Sequence, residues 1–175
     1  MLIGLTGPAG VGKDTAGAIL REKFGFKTFA FAEPLKQAMA ALGLPEPVDR
    51  ADKEKPVPGF SFTWRQAIQR LGTECVQGLD KNFWVVTLEK RIEGYPLVVV
   101  TDVRFPHEAE WLNQQGGYLI GISGRATTIT DVASKAHASE SSNLSPVFTV
   151  DNSGSLEQFT ANLLSLPILK EDFLK

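Results

Sequence analysis

Leu2-Ile3-Gly4-Leu5-Thr6-Gly7-Pro8-Ala9-Gly10-Val11-Gly12-Lys13-Asp14-Thr15 is the stretch on which the fold turns. Its apolar opening, Leu2 to Thr6, has the length of one short strand. Gly7 to Lys13 then fits the pattern G-x-x-x-x-G-K. From Lys13 to Phe24, the apolar residues Ala16, Ile19, Leu20 and Phe24 recur at helical spacing. A glycine-rich turn between strand and helix lets the backbone curl until its N–H groups point inward at phosphate oxygens. The helix N-terminus adds a favourable dipole. Gly7, Ala9, Gly10, Val11, Gly12 and Lys13 are therefore expected to hold the phosphates of a nucleotide, with Lys13 reaching the β- and γ-phosphates. The alternative is a glycine-rich turn capped by a surface lysine.

The residue after Lys13 is Asp14, where this pattern usually carries Ser or Thr, and Thr15 follows. The usual hydroxyl coordinates Mg²⁺, and a carboxylate is also a hard oxygen ligand. Asp14 either contacts Mg²⁺, directly or through water, or stabilises the first helical turn through the helix dipole. Thr15 is expected to donate to the α-phosphate.

Beyond this stretch, strands are expected at 27–31, 97–101, 118–123 and 147–150. Helices are expected at 34–42, from Thr63 to about Gln77, from Asp80 or Asn82 to about Glu93, at 106–115 and at 156–164. Pro45, Pro47, Pro56, Pro58 and Gly59 make residues 43–62 read as an irregular insertion. Leu97-Val98-Val99-Val100 lacks alternation, as central parallel strands do. The order of elements predicts a three-layer α/β fold with a mostly parallel five-stranded sheet.

The chain has 175 residues, 43% hydrophobic and 22% charged, which suits one globular domain. Eighteen Lys and Arg against twenty Asp and Glu give a net charge of −2, which argues against a nucleic-acid coat or a polybasic membrane binder. Cys75 is the only cysteine, so intramolecular disulfides and Cys-built zinc sites are excluded. His107 and His137 are too few for a histidine-rich metal centre. The start at Met1 has no basic leader, and no apolar run is long enough for a membrane span. A cytoplasmic protein is expected.

A guanine-reading N-K-x-D motif is absent, and ABC-type ATPases, motors and helicases need longer chains. A polar segment before the last strand, residues 124–146, suits a small-molecule kinase with a lid that excludes water. Five pieces sharpen this: Gly12-Lys13-Asp14-Thr15, Phe29 to Lys36, Arg65 to Glu74, Asp102-Val103-Arg104-Phe105-Pro106-His107-Glu108-Ala109, and His137-Ala138-Ser139-Glu140. Together they resemble the phage-type deoxynucleoside monophosphate kinase family over about residues 1–160. The resemblance implies a P-loop kinase fold in a single domain, with an acceptor-binding helical insertion at 33–94 and the lid at 124–146.

The candidate residues follow from placement and from this resemblance. Ligands of open α/β sheets bind beyond the carboxyl ends of the strands, so Asp102 and Arg104 are expected to face the phosphates. Asp102 would hold a Mg²⁺-bound water or orient the acceptor; the alternative is a turn residue capping the 106–115 helix. Arg104 would grip the acceptor monophosphate bidentately, or else be a surface arginine paired with Glu108. Lys36 and Arg65 would bind the acceptor's phosphate, or be solvated helix charges. Gln69 would read a base edge, and Trp64 and Trp84 either stack on a base or belong to the core. Arg125, the best-placed lid cation, would stabilise charge on the transferring phosphoryl group. The resemblance implies that His137 and Glu140 shape the lid or the acceptor site, against a capping role in a polar loop, and Lys135 is a weaker candidate. The turn after the last strand would lie against the donor adenine, with Asn152 as a contact. His107 and Cys75 receive no role.

The reading is a Mg²⁺- and ATP-dependent kinase acting on deoxynucleoside monophosphates. Its partners would be small-molecule nucleotides, without nucleic acid or membrane, and a homodimer is left open. The rivals are a phosphomevalonate kinase-like enzyme, a dephosphocoenzyme A kinase whose strand-end motif differs, and an ATP-binding regulator without transfer activity.

Overall fold

The computed structural model describes residues 1–49, 51–125 and 144–170. Five strands, β1 (Leu2–Thr6), β2 (Lys27–Phe29), β3 (Val98–Val100), β4 (Tyr118–Ser123) and β5 (Phe148–Asp151), form one sheet in the order β2-β3-β1-β4-β5. Every pairing is parallel, with Ile3 opposite Val99 on one side and Tyr118 on the other. All strand ends that can hold a ligand therefore lie on one edge of the sheet.

Alternation along the strands divides the core in two. Ile3, Leu5, Val99, Ile120, Ile122 and Val150 point to a first cluster. There they meet Ala16, Ile19 and Leu20 of α1 (Lys13–Phe24) and Phe159 and Leu163 of the last helix, Leu156–Leu164. Val98, Val100 and Leu119 point to the opposite cluster, built by α2 (Glu33–Ala41), α3 (Trp64–Gln69), the helix Phe83–Ile92 and the helix Pro106–Gln114. In chain order we label these last three helices α5 (Phe83–Ile92), α6 (Pro106–Gln114) and α7 (Leu156–Leu164), a short α4 (Gln77–Leu79) lying between α3 and α5. Val98-Val99-Val100 is buried on both faces, which explains its unbroken aliphatic run.

Three expectations are corrected. The second strand stops at Phe29, because Phe31 and Ala32 turn to donate their N–H groups to Asp102. Residues 43–62 are not wholly irregular: Ala51–Glu54 is a 3-10 turn, and Pro56 bridges Thr63 antiparallel. The helix from Thr63 opens with a capping box between Thr63 and Gln66, but its middle, Arg70–Val76, is π-helical. In that stretch the carbonyl of Gly72 accepts the N–H of Gln77 and Nε1 of Trp84 at 3.0 Å.

Candidate active site

The glycine-rich loop leaves β1 at the ligand-binding edge and enters α1 at Lys13. Gly7 has φ 132° and Gly12 φ 110°, conformations that side chains rarely adopt. Space forbids a side chain as well: a Cβ on Gly7 would run into the carbonyl oxygen of Ile122, and one on Gly12 into Nδ2 of Asn152. The loop therefore closes its outer side against β4 and β5 and turns its other side to a cleft.

Asn152 is the clamp in that outer contact. It is buried to 3% exposure, its N–H donates to the carbonyl of Ser123 at 2.9 Å, and its Nδ2 donates to that of Val11 at 2.8 Å. Arg125 Nε donates to the carbonyl of Asn152 at 3.0 Å. Neither residue lines the cleft. Thr15 is exposed and also lies off the cleft wall. Lys13 is buried, and its Nζ donates to the carbonyls of Gly7 (2.6 Å) and Pro8 (2.8 Å), which sets the ammonium over the loop.

The second wall comes from the end of β3. Asp102 Oδ1 accepts the N–H of Phe31 at 2.7 Å, and Oδ2 accepts that of Ala32 at 3.0 Å. The carboxylate thus anchors the start of α2 and does not cap α6. Glu108 does the capping: Oε2 accepts the N–H groups of Arg104 (2.8 Å) and Phe105 (3.0 Å), and so holds the backbone that carries Arg104. Glu108 is 2% exposed. Burial, helped by the nearby charge of Asp102, pushes its pKa up to about 8 against the pull of those two N–H groups.

The third wall is built by α2, α3 and the 43–62 segment. Lys36 pairs with Glu46 at 3.0 Å, and Arg65 pairs with Glu54. Trp64 and Trp84 are core residues at 4% and 8% exposure, yet each shows an edge to the cleft. Gln69 is buried and lines it too.

These walls enclose a single cavity of about 250 Å³. It brings together Ala9, Gly10, Gly12, Lys13 and Asp14 with Asp102 and Arg104, and with Lys36, Arg65 and Gln69 on the far wall. Gly7 and Val11 support the loop from behind. His137, Glu140 and most of the 124–146 segment lie outside the described residues.

Over residues 48–163 the sequence matches the deoxynucleotide monophosphate kinase family. The chain belongs to the deoxynucleotide monophosphate kinase family. A protein of Acanthamoeba polyphaga mimivirus that carries the same family name is 31% identical over 185 residues, covering 94% of this chain and 95% of its own. The crystal structure of TT1252 from Thermus thermophilus shares the fold, with a TM-score of 0.53 at 19% identity and 94% of each chain covered.

For this member of the deoxynucleotide monophosphate kinase family, three charged cavity residues carry no site role in the sequence reading: Glu46, Lys53 and Glu108. Glu108 stands in the first turn of α6 behind Phe105-Pro106, the place from which a glutamate reaches back to the N–H of the N-cap residue. That signal was available, although it predicts a cap and not a cavity wall. Glu46 and Lys53 lie between prolines in a segment without periodicity, and no local pattern marks them. Five cations, Lys13, Lys36, Lys53, Arg65 and Arg104, line the cavity with four carboxyl groups, Asp14, Glu46, Asp102 and Glu108, the last with its pKa raised to about 8, so positive charge is in excess there in a chain whose net charge is −2. That concentration suits anionic ligands. Among the described residues, no three His, Cys, Asp or Glu side chains cluster as a metal site. No helix among them is long and apolar enough to cross a membrane.

Proposed function

We propose that this protein transfers the terminal phosphoryl group of ATP, as its Mg²⁺ complex, to a deoxynucleoside monophosphate. The observation that carries this is the joining, in one cavity, of the glycine-rich loop and Lys13 to further cations, Arg104 on the second wall and Lys36 and Arg65 on the third. A phosphate-accepting loop alone would serve a hydrolase or a regulator. Two facing anion sites suit transfer between two phosphorylated ligands.

A phosphate oxygen of the monophosphate would attack the γ-phosphorus, and the bond from that phosphorus to the bridging oxygen would break, leaving ADP and a nucleoside diphosphate. The acceptor is already an oxyanion, so no general base is needed. In-line positioning and charge neutralisation carry such reactions. The loop fits a phosphate chain, because its glycines keep side chains out of the turn. Lys13 supplies positive charge at the β- and γ-phosphates. Asp14, on the cavity wall at the start of α1, and Asp102, at the end of β3, would hold Mg²⁺ directly or through water. Nucleotide phosphates and water would supply its other ligands. When bound, Mg²⁺ offsets phosphate charge. Asn152, behind the loop, would contact the donor's base, and Arg125 would have to leave the Asn152 carbonyl to reach the transferring phosphoryl group. The 33–94 region then forms the acceptor site.

The test is ATP consumption across a panel of deoxynucleoside monophosphates, with phosphomevalonate and no-acceptor controls. Turnover with at least one deoxynucleotide, well above both controls, is expected. Turnover with phosphomevalonate alone, or with nothing, would overturn the proposal.

Arg104 separates the two ligand sites. Its planar guanidinium matches a monophosphate, and a lysine cannot reproduce two parallel hydrogen bonds. Arg104→Lys is expected to raise the KM for the acceptor about ten- to a hundredfold, the loss of one charge-assisted contact. ATP affinity measured without acceptor is expected to hold. The reverse pattern would move Arg104 to the donor side.

A further inference from the structure

The proline-rich 43–62 segment reads as filler in the sequence, yet the structure brings it to the cavity. Trp64 Nε1 donates to the carbonyl of Leu44 at 3.2 Å, and the N–H of Val57 to that of Phe62 at 2.9 Å, so the segment is pinned at both ends beside α3. Between those pins it delivers Glu46 and Lys53 to the cavity wall.

Their arrangement is specific. Glu46 Oε1 takes the Lys53 ammonium, and Oε2 takes the Lys36 ammonium at 3.0 Å. Lys53 Nζ also lies 5.3 Å from the centre of the Trp64 ring. One carboxylate therefore bridges two ammonium groups from different elements, and all three line the cavity. Burial opposes the charge on Glu46, but the hydrogen bonds from Lys53 and Lys36 outweigh it and hold its pKa below the usual carboxylate range. Two positive charges face one negative charge. A phosphate dianion would neutralise both, and it offers more acceptor oxygens than a carboxylate.

We propose that Lys53 joins Lys36 in binding the phosphate of the acceptor, and that Glu46 is the built-in counter-ion which this phosphate displaces. The inference rests on the kinase reading above and deepens it. It gives the 43–62 segment a part in substrate recognition, and it makes acceptor binding an exchange of one anion for another.

The alternative is that the three residues only tie the segment down. The two cases differ in sign. If the ion pairs are mere ties, Lys53→Met and Glu46→Gln break the same tie and act in the same direction. If Lys53 is a ligand and Glu46 its competitor, they act in opposite directions.

The experiment measures the KM of the best deoxynucleoside monophosphate, together with ATP affinity in the absence of acceptor. Lys53→Met is expected to raise the acceptor KM about tenfold or more, a charge-assisted hydrogen bond being lost. Glu46→Gln, nearly isosteric, is expected to lower it by about threefold or more as the competing charge is removed. ATP affinity is expected to stay level in both. Shifts of the acceptor KM in the same direction, or no shift in either variant, would overturn the proposal. Should Lys53→Met fail to fold by thermal melt, Glu46→Gln decides alone: a lower KM supports the exchange, and an unchanged or higher one refutes it. A wild-type protein that consumes ATP with no deoxynucleotide would refute the kinase reading first, and this inference with it.

Discussion

Lys13→Ala is expected to yield a folded protein whose phosphoryl transfer has fallen about a hundred- to a thousandfold. The magnitude is that of removing one preorganised charge from the place where negative charge develops, roughly 3–4 kcal/mol of barrier. The structure adds a second effect. Lys13 Nζ donates to the carbonyls of Gly7 and Pro8, so alanine also unties the loop from its own lysine. Those bonds are partly buried, and losing them costs on the order of 1 kcal/mol each. The expected signature is a collapse in kcat with weaker ATP binding and a nearly unchanged KM for the acceptor. Turnover near that of the wild type, in a variant shown to be folded by its melting curve, would remove the loop from the mechanism.

Glu108→Gln is expected to stabilise the protein at pH 8 and to leave it nearly unchanged at pH 4. The sign follows from burial. The folded pKa is pushed up to about 8, above the ordinary value of 4.5. Below 4.5 the carboxyl is protonated in both folded and unfolded chains and carries no penalty. Between about 4.5 and 8 the unfolded chain ionises while the folded group keeps its proton, so the folded state loses ground throughout that window. Above 8 the loss is complete. Each pKa unit is about 1.4 kcal/mol, so the gain from a side chain that does not titrate is on the order of a few kcal/mol at pH 8. Glutamine keeps an oxygen for the N–H groups of Arg104 and Phe105, which makes it a fair isostere. Denaturant unfolding of both proteins at the two pH values measures the difference. Equal loss of stability at both would mean that Glu108 is ionised in the folded protein.

Much of this molecule can be read locally, and the exceptions share a cause. The spacing of Ala16, Ile19, Leu20 and Phe24 marks α1, and that of the apolar residues in Leu156–Leu164 marks α7, because each helix buries one stripe against the sheet. Lys13 announces itself through its loop, and Asp102 and Arg104 through their place at a strand end. The second strand ends early because Asp102, seventy-one residues from Phe31, captures its N–H. Nothing in Ala30-Phe31-Ala32 encodes that. The partnership of Lys36, Glu46 and Lys53 depends on the course of a segment broken by prolines, which periodicity cannot trace. Glu108 is legible as a helix cap. Its deep burial depends on packing between α6 and the end of β3.

The π-helical stretch Arg70–Val76 has an evolutionary consequence. A π-turn holds more residues than an α-turn over the same path, and each residue of an α-helix advances the side chain by about 100°. Deleting one residue between 70 and 76 would let the stretch relax to an α-helix while its two ends stay where they are, so that only the residues within the stretch change the direction they face. Thr73, within the stretch, faces the cavity now, and the residue that took its place there would be set by chain length as much as by residue type. A deletion at this point could therefore exchange a residue facing the cavity while leaving the contacts outside the stretch as they are, a one-step route by which a lineage could change which acceptor fits.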